Sequence, residues 1–158
     1  MVRVELDNIE VGVGHYIGTM RQAAVELSQH AVSNSSRDVY NDHITGALGE
    51  MAVAKGLDLY WDASVNSFKS RPDVSALEVR TTTYRPPRCS IYVSDRDDGA
   101  AKYILVSKIS KTEYELLGWA SGDEIRQRGE YKSMAAGRSP QYWLQAGKLN
   151  SMSTLQNI

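Results

Sequence analysis

The chain changes its hydrophobic repeat at residue 57. Before that point apolar residues recur at helical spacing: Ile17, Met20, Ala24, Leu27 and Ala31 in one stretch, and Ile44, Ala47, Leu48, Met51 and Ala52 in another. After it, short runs rich in β-branched and aromatic residues are separated by turn residues. Helices first and strands afterwards imply an α+β fold, with N-terminal helices packed on a central mixed or antiparallel sheet. A length of 158 residues, 42% of them hydrophobic, suits a single domain with its own core. The expected division of residues 1–158 is a loose lead-in over 1–14, helices over 15–56, a sheet over 57–120, and a short helix and tail over 121–158.

Local signals refine that division. The first helix is expected over 15–33 and is broken by Asn34, Ser35 and Ser36. Asp38 is placed to cap a second helix over 39–55, which Gly56 would end. Strands are expected at 59–61, 65–68, 76–83, 90–94, 103–109 and 114–120. Residues 95–99 read as a turn. Residues 121–128 read as a short helix capped by Ser121 or Asp123. The polar stretch 131–142 reads as a loop, Trp143 and Leu144 return to the core, and 150–158 form a plain tail. No internal repeat is visible.

The net charge of −1 excludes a general polycation, but the charge is unevenly spread. Residues 1–68 carry a net −5, residues 69–92 a net +3 and residues 119–158 a net +2. The basic segments fit a local anionic partner and fit a solvated charged face equally well. Cys89 is the one cysteine, so an internal disulfide is excluded and no Cys/His cluster offers a zinc site. No apolar leader or membrane-length run is present, and a soluble, cytoplasmic protein without membrane association is expected.

The densest chemistry lies between Arg71 and Arg80. Asp73 sits at a turn, stiffened by Pro72, and Glu78 and Arg80 follow on a strand. Strand alternation points Glu78 and Arg80 to one face, with Leu77 and Val79 to the other. Two carboxylates, with the Val79 carbonyl near, could hold Mg²⁺ or Mn²⁺, which favour oxygen ligands and commonly use one or two carboxylates. Such a metal neutralises a phosphate and lowers the pKa of bound water. Upstream, Glu50 lies on a helix lightened by Gly46, Ala47 and Gly49, as a helix pressed close to a sheet requires. His43 is on the same side of that helix and could be an accessory to the site. The alternative for each is structural: a charged hairpin in which Glu78 pairs with Arg80, packing glycines, a hydrogen-bonding histidine.

A helical Glu, a turn Pro-Asp, then Glu-x-Arg on a strand followed by Thr81, Thr82 and Thr83 resembles the PD-(D/E)XK nuclease superfamily, and among its members the small phage-type proteins. The resemblance spans roughly residues 39–109. It implies a restriction-endonuclease-like core and a metal-dependent deoxyribonuclease, suited to junction-resolving or structure-directed DNA processing in a phage or mobile element. It implies Glu50, Asp73 and Glu78 as metal ligands, and Arg80 as the fourth catalytic residue where the family usually has Lys. Arginine stays protonated, so Arg80 could stabilise phosphate charge but not act as a base. The gap between Asp73 and Glu78 is short for the family and demands a tight hairpin. Lys69, Arg71, Arg85 and Arg88 are the candidate DNA contacts, and a homodimer would offer two sites for cutting both strands. The competing readings are a nuclease fold that binds nucleic acid without cutting it, and a phage accessory protein whose acidic helical half meets a partner.

Overall fold

A computed structural model describes residues 1–27, 39–65, 71–134 and 136–156. Among them are three α-helices and seven strands: β1 (Val2–Glu5), α1 (Asn8–Leu27), α2 (Val39–Leu57), β2 (Leu77–Thr82), β3 (Ser90–Val93), β4 (Lys102–Lys108), β5 (Glu113–Ser121), α3 (Gly122–Arg128), β6 (Glu130–Lys132) and β7 (Gln141–Gln145). Short 3₁₀ turns follow at Ala146–Lys148 and Met152–Thr154. The chain is α+β. Its main sheet is mixed, in the order β1-β5-β4-β2, with β2 parallel to β4 and the other pairs antiparallel. A second, three-stranded sheet has the order β3-β7-β6. Among the described residues no helix is long and apolar enough to cross a membrane.

The main sheet is covered on both faces. On β4, Ile104 and Val106 join the cluster formed with Leu48, Met51 and Val53 of α2. Tyr103 and Leu105 point the other way, into a second cluster with Ile91, Val93, Ile125 and Leu144. A strand buried on both faces reads as a continuous apolar run, which is what residues 103–106 are.

The two long helices cross very closely. A Cβ on Gly18 would stand 2.5 Å from the Ile44 Cα, and one on Gly14 2.4 Å from the Leu48 side chain. Gly49 does the same for the helix against the sheet: its Cβ would lie 1.8 Å from the Thr81 Oγ1 of β2. Gly46 meets nothing within 4 Å, so of the two glycines beside Glu50 only Gly49 is a packing requirement.

Several expectations need correction. The segment expected to be a loose lead-in is instead a strand and the start of α1. β1 pairs with β5, and Asp7 and Glu10 cap the helix reciprocally, with Glu10 N–H on Asp7 at 2.9 Å and Asp7 N–H on Glu10 at 2.7 Å. Residues 59–61 form no strand. The proposed Asp38 cap, residues 28–33 of the first helix, and residues 66–68 lie outside the described residues. The supposed loop 131–142 contributes β6 and the start of β7, because backbone pairing with β7 and not side-chain alternation defines the exposed β6. The tail is tied in: Asn150 bridges Trp119 through both backbone groups, and Met152 is buried.

Candidate functional site at the edge of the main sheet

β2 ends the main sheet, and among the described residues one of its edges carries no neighbouring strand. The chain reaches β2 through a turn in which Val74 and Leu77 exchange backbone hydrogen bonds, at 3.1 and 2.8 Å. Ser75 at the bend has a φ of 53°, a left-handed conformation that a non-glycine residue adopts uncommonly. This tight reversal is how so short a gap between Asp73 and Glu78 is spanned. It folds Asp73 back along the open edge, where its Oδ2 accepts the Val79 N–H at 2.8 Å. On the carbonyl of the same residue, Arg80 Nη1 donates to Val79 O at 3.3 Å. The same Arg80 nitrogen lies 3.7 Å from Glu78 Oε2. Asp73, Glu78 and Arg80 are therefore gathered around one backbone residue of the edge strand.

Glu50 approaches from the other face, because α2 packs on the Leu77/Val79 side while Glu78 and Arg80 face the second sheet. Its side chain is only 7% exposed and both oxygens are engaged by Arg21 of α1, at 2.5 and 2.7 Å. Trp61 Nε1 donates to the same carboxylate at 3.0 Å, and Arg21 Nε is held by the Ser64 carbonyl at 2.9 Å. Burial holds the Glu50 carboxyl above the usual carboxylate range; Arg21 and the Trp61 N–H pull it down, and the Asp73 charge pushes it up. Arg21 is raised: burial opposes its charge, but the Glu50 pair outweighs this, with smaller help from Asp73 and Asp62. Asp73 thus bears electrically on both members of the pair. His43 stands half-buried near Arg21; burial, then the Arg21 charge, lower its pKa.

Arg80 is braced from its far side. Its Nη2 is 3.5 Å from Asp97 Oδ1, and its guanidinium lies 5.1 Å from the Tyr103 ring centre and 5.8 Å from that of Tyr92. Asp97 is in turn fixed by the Ser94 N–H at 2.6 Å and hydroxyl at 2.7 Å. Burial first, then the charges of Asp97 and Glu78, push the Tyr103 phenol up to about 12.

The sequence-derived residues are thus brought together in part. Asp73, Glu78 and Arg80 share the strand edge, and Glu50 reaches Asp73 electrostatically while bound to Arg21. Among the described residues no three His, Cys, Asp or Glu side chains form a group able to hold a metal ion. The basic set is dispersed. Arg71 is exposed, 3.9 Å from Asp62. Arg85 donates to the Ile109 carbonyl at 2.9 Å, beyond the opposite end of β2, and Arg88 is exposed in the same loop. Lys69 lies outside the described residues. Arg21, Trp61 and Asp97 were not singled out in the sequence. Nothing local in the sequence marks Arg21, because its contact with Glu50 passes from α1 to α2 across 29 positions. Comparison with protein-family profiles, with curated proteins and with solved structures finds no match.

Proposed function

We propose that the protein is a metal-dependent nuclease that hydrolyses DNA phosphodiester bonds at the open edge of β2, on a restriction-endonuclease-like core. The observation that carries this reading is the convergence of Asp73 and Arg80 on the two backbone groups of Val79, at 2.8 and 3.3 Å, with Glu78 beside Arg80. The carboxylates of Asp73 and Glu78, with the Val79 carbonyl once Arg80 releases it, would be the hard-oxygen donor set for such a metal. That set fits Mg²⁺ or Mn²⁺, which take one or two carboxylates together with waters and substrate oxygens. Glu50 stays outside it while Arg21 holds both its oxygens. When bound, such an ion would supply phosphate neutralisation and a water acidified toward neutral pH.

The protein's own groups have separable parts. Asp73 holds the strand edge and presents its carboxylate there. Glu78 places negative charge next to Arg80, and Asp97 with the two tyrosines fixes the guanidinium. Arg80 can then give a planar, permanently charged donor pair to a phosphate, most strongly as charge builds in the transition state. Arg21 holds both Glu50 oxygens and keeps that carboxyl in place on the α2 side of β2.

Incubation with Mg²⁺ or Mn²⁺ and duplex, branched or single-stranded DNA tests the reading. Cleavage should fall on the order of a hundredfold or more in Asp73→Ala, the scale of losing one preorganised electrostatic contact. Equal cleavage by Asp73→Ala would sink it. The second reading, a nuclease-like fold that binds nucleic acid without cutting, is favoured by the bidentate Arg21–Glu50 pair, which occupies an expected metal ligand. DNA binding with no cleavage by the wild type under either metal would establish that alternative.

A further inference from the structure

The second sheet carries a cleft that the edge site does not use. It encloses about 360 Å³ and is lined by Arg128, Lys132, Lys148, Glu130 and Trp143, among others. Three cations against one lining carboxylate make it locally basic in a chain whose net charge is −1, with Arg128 also paired to Glu124 of α3 at 3.4 Å. Its construction follows from strand alternation. Glu130, opposite Trp143 in the β6–β7 register, and Lys132 share the outer face of this sheet, while Leu144 turns into the core. Arg128 donates to the Lys148 carbonyl, which pins the Lys148 turn beside the end of α3. Trp143 Nε1 donates to the Lys132 carbonyl at 3.2 Å, fixing the indole against β6. Lys132 and Glu130 pair at 2.6 Å with both side chains well exposed, a contact that a phosphate can displace at little cost.

The aromatic wall of the cleft leads back toward the sheet edge. The Trp143 and Tyr92 rings are 4.8 Å apart at 33°, and the Arg80 guanidinium lies 5.8 Å from the Tyr92 ring centre. A row of flat groups therefore connects Arg80 to a pocket rimmed by lysine and arginine. Alternating aromatic planes and cations are what a sugar–phosphate strand with unstacked bases requires: rings for bases of any sequence, and flexible cations for the phosphates.

We propose that this cleft binds a single-stranded nucleic-acid segment, with Lys132, Lys148 and Arg128 on phosphates and Trp143 and Tyr92 against the bases. The proposal rests on the nuclease reading only for the course of the strand, which runs from the cleft toward Arg80. It assigns a role to the basic C-terminal part of the chain.

The test is fluorescence anisotropy of a fluorescein-labelled oligothymidylate in EDTA, where no metal-dependent cutting occurs. Lys132→Ala/Lys148→Ala, at two exposed positions, should bind roughly tenfold or more weakly, and the slope of log K against log salt should shrink by about 1.4, at ~0.7 per lost phosphate contact. Trp143→Ala, checked for folding by circular dichroism, should weaken binding about tenfold and leave the salt slope unchanged, because stacking releases no counterions. A double lysine variant with wild-type affinity and slope overturns the proposal, as does a wild type that does not bind the oligonucleotide. Binding that depends on the lysines in a protein that never cuts DNA would remove the nuclease reading and leave the cleft standing. Metal-dependent cutting with lysine-independent binding would do the reverse.

Discussion

A carboxylate removed from water keeps its charge only where a cation and hydrogen bonds replace the lost solvation. For Glu50 those are both guanidinium nitrogens of Arg21 and the Trp61 indole. Arg21→Met deletes the cation and leaves the acid buried, so a loss of about 3 kcal/mol is expected. The loss should depend on pH. Glu50 is already raised above 4.5 by burial, and removing Arg21 removes its strongest downward influences. A folded-state pKa above the unfolded value means that the folded protein holds the extra proton, so stability falls as pH rises through the interval between the two values. That interval widens in the variant. Urea unfolding should therefore show a smaller deficit for Arg21→Met near pH 5 than near pH 8, and an equal deficit at both would contradict this account of Glu50. Glu50 itself could be found in the sequence, because a glycine-lightened helix announces it. Arg21 could not, because its contact crosses two helices and 29 positions.

At the level of elements, the approach of α2 to β2 sets where Glu50 stands behind the edge, and it is controlled at Gly49. A methyl group there would meet Thr81 Oγ1 at 1.8 Å and its Cβ at 2.9 Å. Since the obstacle includes the Thr81 Cβ, the helix itself must move. Gly49→Ala should destabilise by about 3 kcal/mol, at the upper end for overpacking. Thr81→Ala should recover only part of that in the double variant, a coupling that chemical denaturation of the four proteins measures. The elements themselves were largely legible. The second helix, the strands at 76–83, 90–94, 103–109 and 114–120, and the short helix after residue 121 all appear in place, and of the two cap candidates it is Ser121 that caps, in a box with Glu124 that the tertiary structure revealed. β1 and β6 were not, since β1 is four residues with a single buried position and β6 three exposed ones, too short for alternation to register.

Across the molecule, the main sheet is sandwiched between two apolar clusters, and the C-terminal segment braces both sides of it. Asn150 joins Trp119 through backbone hydrogen bonds at 3.0 and 2.8 Å and reaches the Glu124 carboxylate with its side chain at 3.1 Å. Met152 is buried in the helix-side cluster, with Leu155 packed against it. Deleting residues 150–158 should lower Tm by roughly 6–12 °C, from the apolar burial lost and the usual scaling for a chain of this size. Thermal unfolding followed by circular dichroism reads this directly, and an unchanged Tm would return the segment to the status of a plain tail. The sequence by itself determined the class of fold, most of its elements and the Asp73, Glu78, Arg80 cluster, because periodicity and turn chemistry act over a few residues. Only the tertiary structure decided that Asp73 and Arg80 meet on the Val79 edge, that Arg21 claims Glu50, and that Tyr92 and Trp143 line up with Arg80 beside a basic cleft. Those are contacts between elements distant in the chain, set by which strand lies at the edge and by how closely glycines let helices approach.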